Sequence, residues 1–197
     1  MVKAKKYLIG LTGGIATGKS TVANYLATAY KLPILDADIY ARDAVSFGSP
    51  ILAQIAQHYG QEILLADGNL NRVQLGEIIF NNPKEKQRLE NLIHPYVRNR
   101  FSQAIEQSSA NTLVLVIPLL FEAKLENLVT EIWVVSCSEE QQKTRLMQRN
   151  NLTSEQAAAR IKSQLSISEK INRADLVLDN SSTLESLLKQ VDQVIKK

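Results

Sequence analysis

Five short segments of the chain are continuously apolar, without the alternation of apolar and polar positions that marks a half-exposed strand. They are YLIGLT (7–12), PILD (33–36), TLVLVIP (112–118), EIWVVS (131–136) and DLVLD (175–179). Such strands are buried on both faces, as in a parallel sheet covered by helices. Helical periodicity follows three of them, in KSTVANYLATAY (19–30), EEQQKTRLMQRN (139–150) and STLESLLKQVDQVIKK (182–197). The pattern predicts an α/β fold with a five-stranded parallel sheet, helices on both faces and right-handed crossovers.

The region between the second and third strands is too long for one crossover helix. Residues 37–110 hold several helical stretches and a turn at ADGN (66–69), with no strand as strong as the five. We predict one domain with a core of residues 1–36, 111–137 and 169–197 and a helical insertion at 37–110. Ligands of open α/β sheets bind beyond the carboxyl ends of the strands, so this insertion is placed to form one wall of the cleft.

Residues 138–168 form a second distinctive segment, which is helical, polar and basic. From Lys143 to Lys162 it has five basic residues and one acidic residue, so its net charge is 5 − 1 = +4. Two interpretations are open: a solvated pair of helices, or a lid whose arginines close over a polyphosphate.

Composition limits the partners of the chain. It has 197 residues, of which 45% are hydrophobic and 22% charged, as in an ordinary globular domain. A net charge of +3 is too small to indicate general nucleic-acid binding. One cysteine allows no internal disulfide, and no apolar run approaches the roughly 20 residues of a membrane span. We therefore predict a cytoplasmic protein without nucleic-acid or membrane partners, as a monomer or weak homo-oligomer.

The strongest local motif is GGIATGKS (13–20), which matches the phosphate-loop (P-loop) pattern G-x-x-x-x-G-K-[ST] between a strand and a helix. Its glycines let successive backbone N–H groups point at one anion, and the helix N-terminus adds partial positive charge. Lys19 is suited to the β- and γ-phosphates, Ser20 to Mg²⁺, and Thr21 to an α-phosphate oxygen. The motif predicts binding of a nucleoside triphosphate. The residues assigned to it are Gly13, Gly14, Ile15, Ala16, Thr17, Gly18, Lys19, Ser20 and Thr21.

Two classes of triphosphate-binding protein fit the sequence poorly. The segment NRAD (172–175) differs from the guanine-reading N-K-x-D motif by an arginine, and it precedes a strand where that motif follows one. The third strand ends at Pro118 and lacks the terminal Asp-Glu pair that is usual in motor ATPases.

A kinase needs a group that takes a proton from the attacking hydroxyl, and DAD (36–38) offers two carboxylates. We expect the second strand to lie close to the first, so that Asp36 and Asp38 face the phosphate loop. Asp36 is also suited to cap the following helix, and we favour Asp38 as the base.

The ordered set of motifs resembles the dephospho-CoA kinase family. The set comprises GGIATGKS, DAD followed by AR, LIHP, IPLLFE, RLMQRN and ADLVLDN, and it extends from Ile9 to Asn180. These enzymes look like nucleoside monophosphate kinases with a helical substrate domain and a lid. They transfer the γ-phosphate of ATP to the ribose 3′-hydroxyl of dephospho-CoA, the last step of coenzyme A synthesis. The resemblance therefore implies ATP as phosphoryl donor and dephospho-CoA as acceptor.

The resemblance also implies roles for individual residues. Asp38 becomes the base, with Thr12 and Asp36 nearby, and Arg42 helps to bind the acceptor. The remaining acceptor-side positions are His94, Leu119, Leu120 and Glu122. His94, next to Pro95 at the end of an apolar run, equally fits a buried, hydrogen-bonded histidine.

On the nucleotide side, the resemblance implies that Arg149 stabilises charge on the transferring phosphoryl group, with Arg145 one helical turn earlier. Asn180 is expected near the adenine. Many family members read GGIGSGKS, with glycine where this chain has Ala16. Ala16 keeps its backbone N–H, so the loop can still form if φ there is negative, and we expect no loss of function. Two alternatives remain open: another small-molecule or nucleoside monophosphate kinase of this fold, and a non-catalytic ATP-binding regulator.

Overall fold

The computed structural model describes residues 6–195, which contain one sheet of five parallel strands in the order β2-β3-β1-β4-β5. The strands are β1 (Tyr7–Gly13), β2 (Ile34–Asp36), β3 (Thr112–Val116), β4 (Glu131–Ser136) and β5 (Leu176–Asp179). The helices are α1 (Lys19–Ala29), α2 (Ala37–Ala44), α3 (Pro50–Tyr59), α4 (Arg72–Asn81), α5 (Pro83–Gln107), α6 (Glu139–Asn150), α7 (Ser154–Lys162), α8 (Ile167–Asn172) and α9 (Leu184–Ile195). The predicted five-stranded parallel sheet, with helices on both faces, is confirmed. The last two residues of the predicted C-terminal helix, 196–197, lie outside the described residues.

The order of the strands corrects one expectation. Strand β3 lies between β2 and β1: Asp36 is aligned with Val116 of β3, and Val116 is aligned with Leu11 of β1. Neighbouring strands are about 4.8 Å apart, so Asp36 lies roughly 10 Å from β1 across the sheet. The crossover through α1 connects β1 to β2, and β3 lies between them in the sheet. The sequence of a crossover does not reveal whether another strand lies between the two strands that it connects.

The strands are continuously apolar because both faces of the sheet are covered. On one face, α1 and α9 pack against the sheet, and Val22, Leu26, Leu187 and Val191 are completely buried there. The same cluster contains Ile9 and Leu11 of β1, Val114 and Val116 of β3, and Val135 of β4. The central position of β1 within this core fixes the place at which the phosphate loop leaves the sheet.

The described chain divides into two compact units, residues 6–36 with 109–195 and residues 37–108. We call them the core unit and the helical unit. The helical unit consists of α2 to α5 and has its own apolar core, formed by Ala44, Val45, Leu52, Ile55, Ala56, Ile63, Leu70 and Leu75. Within residues 6–195, none of the helices is both long and apolar enough to cross a lipid bilayer.

Candidate active site

The phosphate loop lies between β1 and α1, and its backbone requires glycine at two positions. Gly13 has φ 145°, and a Cβ there would collide with the carbonyl oxygen of Val135. Gly18 has φ 106°, and a Cβ there would collide with the side chain of Asn180. Gly18 is the N-cap of α1 and has no side chain to bond the first amides of the helix. The Thr21 amide donates to the Gly18 oxygen at 3.0 Å, and the partial positive charge of the helix N-terminus favours an anion at this end of α1.

Ala16 has φ 60°, in the left-handed region, so the negative φ that was set as a condition for the loop is not met, and the loop forms without it. An L-residue with a Cβ pays about 1–2 kcal/mol for this conformation. The loop keeps it because alternating right- and left-handed residues turn successive N–H groups toward one point, which makes an anion-binding nest. A strained alanine therefore occupies the place where glycine would be free of strain.

Contacts inside the loop hold its shape. Lys19 Nζ donates to the carbonyl oxygens of Gly14 at 2.7 Å and Gly13 at 3.2 Å. Thr17 is buried, and its hydroxyl donates to the Gly14 oxygen at 2.9 Å. Ser20 and Thr21 are exposed in the first turn of α1, directly after the lysine. The predicted phosphate and magnesium ligands therefore share one short segment.

The structure brings Arg145 and Asn180 to this loop. Asn180 Nδ2 donates to the backbone carbonyl oxygen of Thr17 at 2.8 Å, and Arg145 Nη2 donates to the backbone carbonyl oxygen of Asn180 at 3.0 Å. Arg145 Nη1 is buried without a hydrogen-bond partner among the described residues. The thiol of Cys137 is buried near Arg145, and this burial is the main reason why its pKa is raised. An unsatisfied guanidinium nitrogen beside the loop has the chemistry to meet an acceptor atom of a nucleotide.

Arg149 does not take part in the hydrogen bonds that connect Arg145 and Asn180 to the phosphate loop. It lies on the exposed side of α6, and its Nε donates to the Asn150 side chain at 2.9 Å. Its predicted contact with the transferring phosphoryl group stays a prediction.

The residues predicted to line the acceptor cleft in the turn after β3 differ in their exposure to solvent. Leu119 is 38% exposed, whereas Leu120 is completely buried beside Gly10 of β1. Thr12 is also completely buried, and its hydroxyl donates to the Pro118 oxygen at 3.3 Å. Leu120 thus packs against β1, and Thr12 of β1 is hydrogen-bonded to the turn. Of these three residues, Leu119 is the one that faces solvent.

Glu122 is engaged within the core unit. Its Oε1 lies 2.9 Å from Lys170 Nζ and accepts from the Leu165 amide at 3.0 Å, while its Oε2 is buried without a partner among the described residues. Lys170 is completely buried and also donates to the Pro118 oxygen at 3.0 Å. Sequence reasoning missed Lys170, because a lysine in the polar segment SISEKIN carries no signal of burial.

Gln164 is a second residue that the sequence did not indicate. It lies between α7 and α8, and its Oε1 accepts from the Ile15 amide of the phosphate loop at 3.0 Å. Gln164 and Gly14 both line a cavity of about 380 Å³, together with Gln142 of α6. A polar residue in a loop has many possible partners, so no sequence signal could have found this one.

In the helical unit, Asp38 lies in the first turn of α2 and is exposed. Asp38, Arg42 and Arg72 line a cavity of about 340 Å³ whose other walls are largely apolar. Arg72 Nη2 donates to the Arg42 backbone oxygen at 3.5 Å. The structure therefore brings two predicted residues together, and it adds Arg72, which the sequence analysis missed.

His94 of the same unit lies in α5, and its side chain is not part of that cavity wall as far as residues 6–195 are concerned. Partial burial lowers its pKa. Its role toward a substrate stays a prediction.

A phosphate loop between the first strand and first helix of a parallel sheet ordered 2-3-1-4-5 defines the class of P-loop kinases. The sequence model of the dephospho-CoA kinase family matches residues 7–186. A dephospho-CoA kinase of Trichormus variabilis is 71% identical over 185 residues, which cover 94% of either chain. The chain belongs to the dephospho-CoA kinase family.

Solved structures agree with this assignment. A protein from Thermus thermophilus shares 32% identity and superposes with a TM-score of 0.84, covering 97% of both chains. A dephospho-CoA kinase from Campylobacter jejuni shares 30% identity with a TM-score of 0.69, covering 97% of this chain and 96% of its own.

Proposed function

We propose that the protein transfers the γ-phosphoryl group of ATP to the ribose 3′-hydroxyl of dephospho-CoA, giving coenzyme A and ADP. The observation that carries this proposal is the family match over residues 7–186, which includes the phosphate loop and both carboxylates of DAD. We also propose that the protein acts in the cytoplasm, as a monomer or weak homo-oligomer.

ATP binds with its phosphates on the phosphate loop. The amides that follow Gly18 face the β-phosphate, and Lys19 exchanges its two carbonyl contacts for phosphate oxygens. Arg145 and Asn180 hold the nucleoside side of ATP, where the free Nη1 of Arg145 gains a partner.

The residues present fit Mg²⁺, which prefers hard oxygen ligands and commonly takes only one or two from protein beside phosphate oxygens and water. Ser20 presents an exposed hydroxyl directly after Lys19 and would be one such ligand. Within residues 6–195 no cluster of three or more His, Cys, Asp or Glu side chains suits a metal ion. When bound, the ion supplies positive charge against the phosphate oxygens.

The acceptor binds in the cavity of the helical unit. Its volume of about 340 Å³ falls in the range of small-ligand sites. Apolar walls formed by Val45, Leu70, Leu75, Ile79 and Ile93 suit a flat base. The guanidinium groups of Arg42 and Arg72 suit the diphosphate of dephospho-CoA, because arginine pairs with phosphate oxygens through two parallel N–H donors.

Asp38, which lines this cavity, is the general base. Its carboxylate accepts the proton of the 3′-hydroxyl as that oxygen attacks the γ-phosphorus. The new P–O bond forms while the bond between the γ-phosphorus and the bridging oxygen breaks, so ADP leaves with the electron pair. Arg149 moves from its contact with Asn150 to the equatorial oxygens, where it offsets the charge of the transition state.

A coupled assay of ADP release tests the proposal, with dephospho-CoA compared against AMP, CMP, gluconate and shikimate at equal concentration. We expect turnover with dephospho-CoA and little with the others. A product analysis by mass spectrometry must show one added phosphate on the acceptor. ATP binding without ADP release for any acceptor would instead identify a regulator, and preference for a nucleoside monophosphate would identify another kinase of this fold.

A further inference from the structure

The segment that joins α7 to α8 contacts two sides of the nucleotide site through consecutive residues. Gln164 accepts from the Ile15 amide of the phosphate loop at 3.0 Å. The next residue, Leu165, donates its amide to Glu122 Oε1 in the turn after β3, also at 3.0 Å. This segment is the C-terminal end of residues 138–168, the proposed lid.

The contact with Ile15 bears on the shape of the phosphate loop. A partly buried amide needs a hydrogen-bond partner, and the Gln164 side chain supplies it. Ile15 directly precedes Ala16, whose left-handed backbone sets the direction of the following amides. The bond therefore restrains the Gly14–Ile15 peptide, which lies one residue before the strained Ala16. The separation of 149 residues along the chain means that this restraint comes from the lid segment and not from the loop itself.

The side chain of Lys170 supports the contact between Leu165 and Glu122. Lys170 is completely buried, and a buried charge needs both an opposite charge and hydrogen bonds. Glu122 provides the charge and Pro118 provides a carbonyl oxygen. The same Pro118 oxygen accepts from Thr12, one residue before the phosphate loop begins. The turn, the lid segment and the end of β1 are thus joined by one partly buried network of hydrogen bonds.

We propose that Gln164 is a positioning residue that couples the lid segment to the phosphate loop, with Glu122 and Lys170 as the second anchor of that segment. Occupation of the loop by phosphates then shifts the Ile15 peptide, and Gln164 transmits this shift to α7. The inference rests on the proposed function only in assuming that the loop binds a triphosphate. The coupling concerns the core unit alone.

Hydrogen exchange with ADP and with a non-hydrolysable ATP analogue tests the coupling, because neither experiment needs an acceptor. In the wild-type protein we expect the analogue to slow exchange in residues 13–18 and also in residues 160–166. In Gln164→Ala the analogue must still slow exchange in the loop, while the effect on residues 160–166 is lost. Gln148→Ala is the matched control, because Gln148 is an exposed glutamine of α6 in the same lid segment.

Calorimetry and steady-state kinetics complete the test. Loss of one neutral hydrogen bond corresponds to about 3- to 10-fold weaker binding of the analogue to Gln164→Ala, with Gln148→Ala within about twofold of wild type. Gln164→Asn keeps the amide but shortens its reach. If Gln164→Ala does not fold, Gln164→Asn takes its place and must lose the effect of the analogue on residues 160–166 while keeping the effect on the loop. Unchanged protection of residues 160–166 in Gln164→Ala, or an equal effect of Gln148→Ala, would overturn the inference. Absence of turnover with dephospho-CoA, with coupling intact, would refute only the proposed function.

Discussion

Replacing Ala16 by glycine tests whether the phosphate loop is strained. Ala16 has φ 60°, a conformation in which its Cβ is unfavourably close to the backbone, and glycine adopts it freely. Ala16→Gly removes the methyl group and leaves every backbone N–H of the loop in place. We therefore expect a more stable protein with the same nucleotide contacts.

The size of the effect follows from two opposing contributions. Relief of the left-handed conformation contributes about 1–2 kcal/mol, and the greater freedom of glycine in the unfolded chain costs about 0.5–1 kcal/mol. The net gain is about 0–1.5 kcal/mol, with a central value of ~0.75 kcal/mol. For a chain of this size each kcal/mol shifts Tm by about 2–4 °C, so the central value corresponds to a rise of roughly 1.5–3 °C.

Thermal unfolding followed by circular dichroism measures this shift. The control is Ala27→Gly in α1, where the backbone is helical and glycine should cost about 1 kcal/mol. Opposite signs for the two variants are the expected result. A lower Tm for Ala16→Gly, similar to that of the control, would show that the left-handed conformation at Ala16 does not exist in solution.

Four further changes test the site and its supports. Asp38→Asn should reduce kcat by at least about 100-fold with nearly unchanged ATP affinity, because the base is lost; turnover within threefold of wild type would exclude that role. Arg149→Ala should lower kcat more than it raises the KM for ATP, since its contact is expected in the transition state. Glu122→Gln should cost about 3 kcal/mol or more in urea unfolding, because it leaves the completely buried Lys170 ammonium without an opposite charge. Lys170→Met should cost less, because the charge that it leaves unpaired, on Glu122, is 21% exposed. The pKa of Glu85 lies below its ordinary value, chiefly because of the hydrogen bond from Tyr59. The contribution of Glu85 to stability is therefore present above the ordinary carboxyl range and is lost on acidification. Glu85→Gln should make stability fall less steeply on the acid side of a stability–pH curve.

Local patterns in the sequence predicted a large part of this protein. The continuous apolar runs indicated five strands within one or two residues of their bounds. Burial on both faces holds for most of β1, β3 and β4, whereas the edge strands β2 and β5 are only partly buried. The phosphate loop was readable because its glycines, lysine and serine act through neighbouring backbone atoms. The order of the motifs along the chain was sufficient to indicate the family, which the comparison over residues 7–186 confirmed.

Contacts between distant parts of the chain could be decided only by the tertiary structure. The place of β3 between β1 and β2 depends on which strands pair, and a crossover does not encode that choice. Thr12 and Leu120 looked like cleft residues but are buried, since the turn after β3 packs back onto β1. Gln164 and Lys170 are polar residues in polar segments, and their partners lie 149 and 48–52 residues away. The sequence thus determined the strands, the phosphate loop and the family. Only the folded chain decided which side chains support that loop, because long-range packing selects their partners.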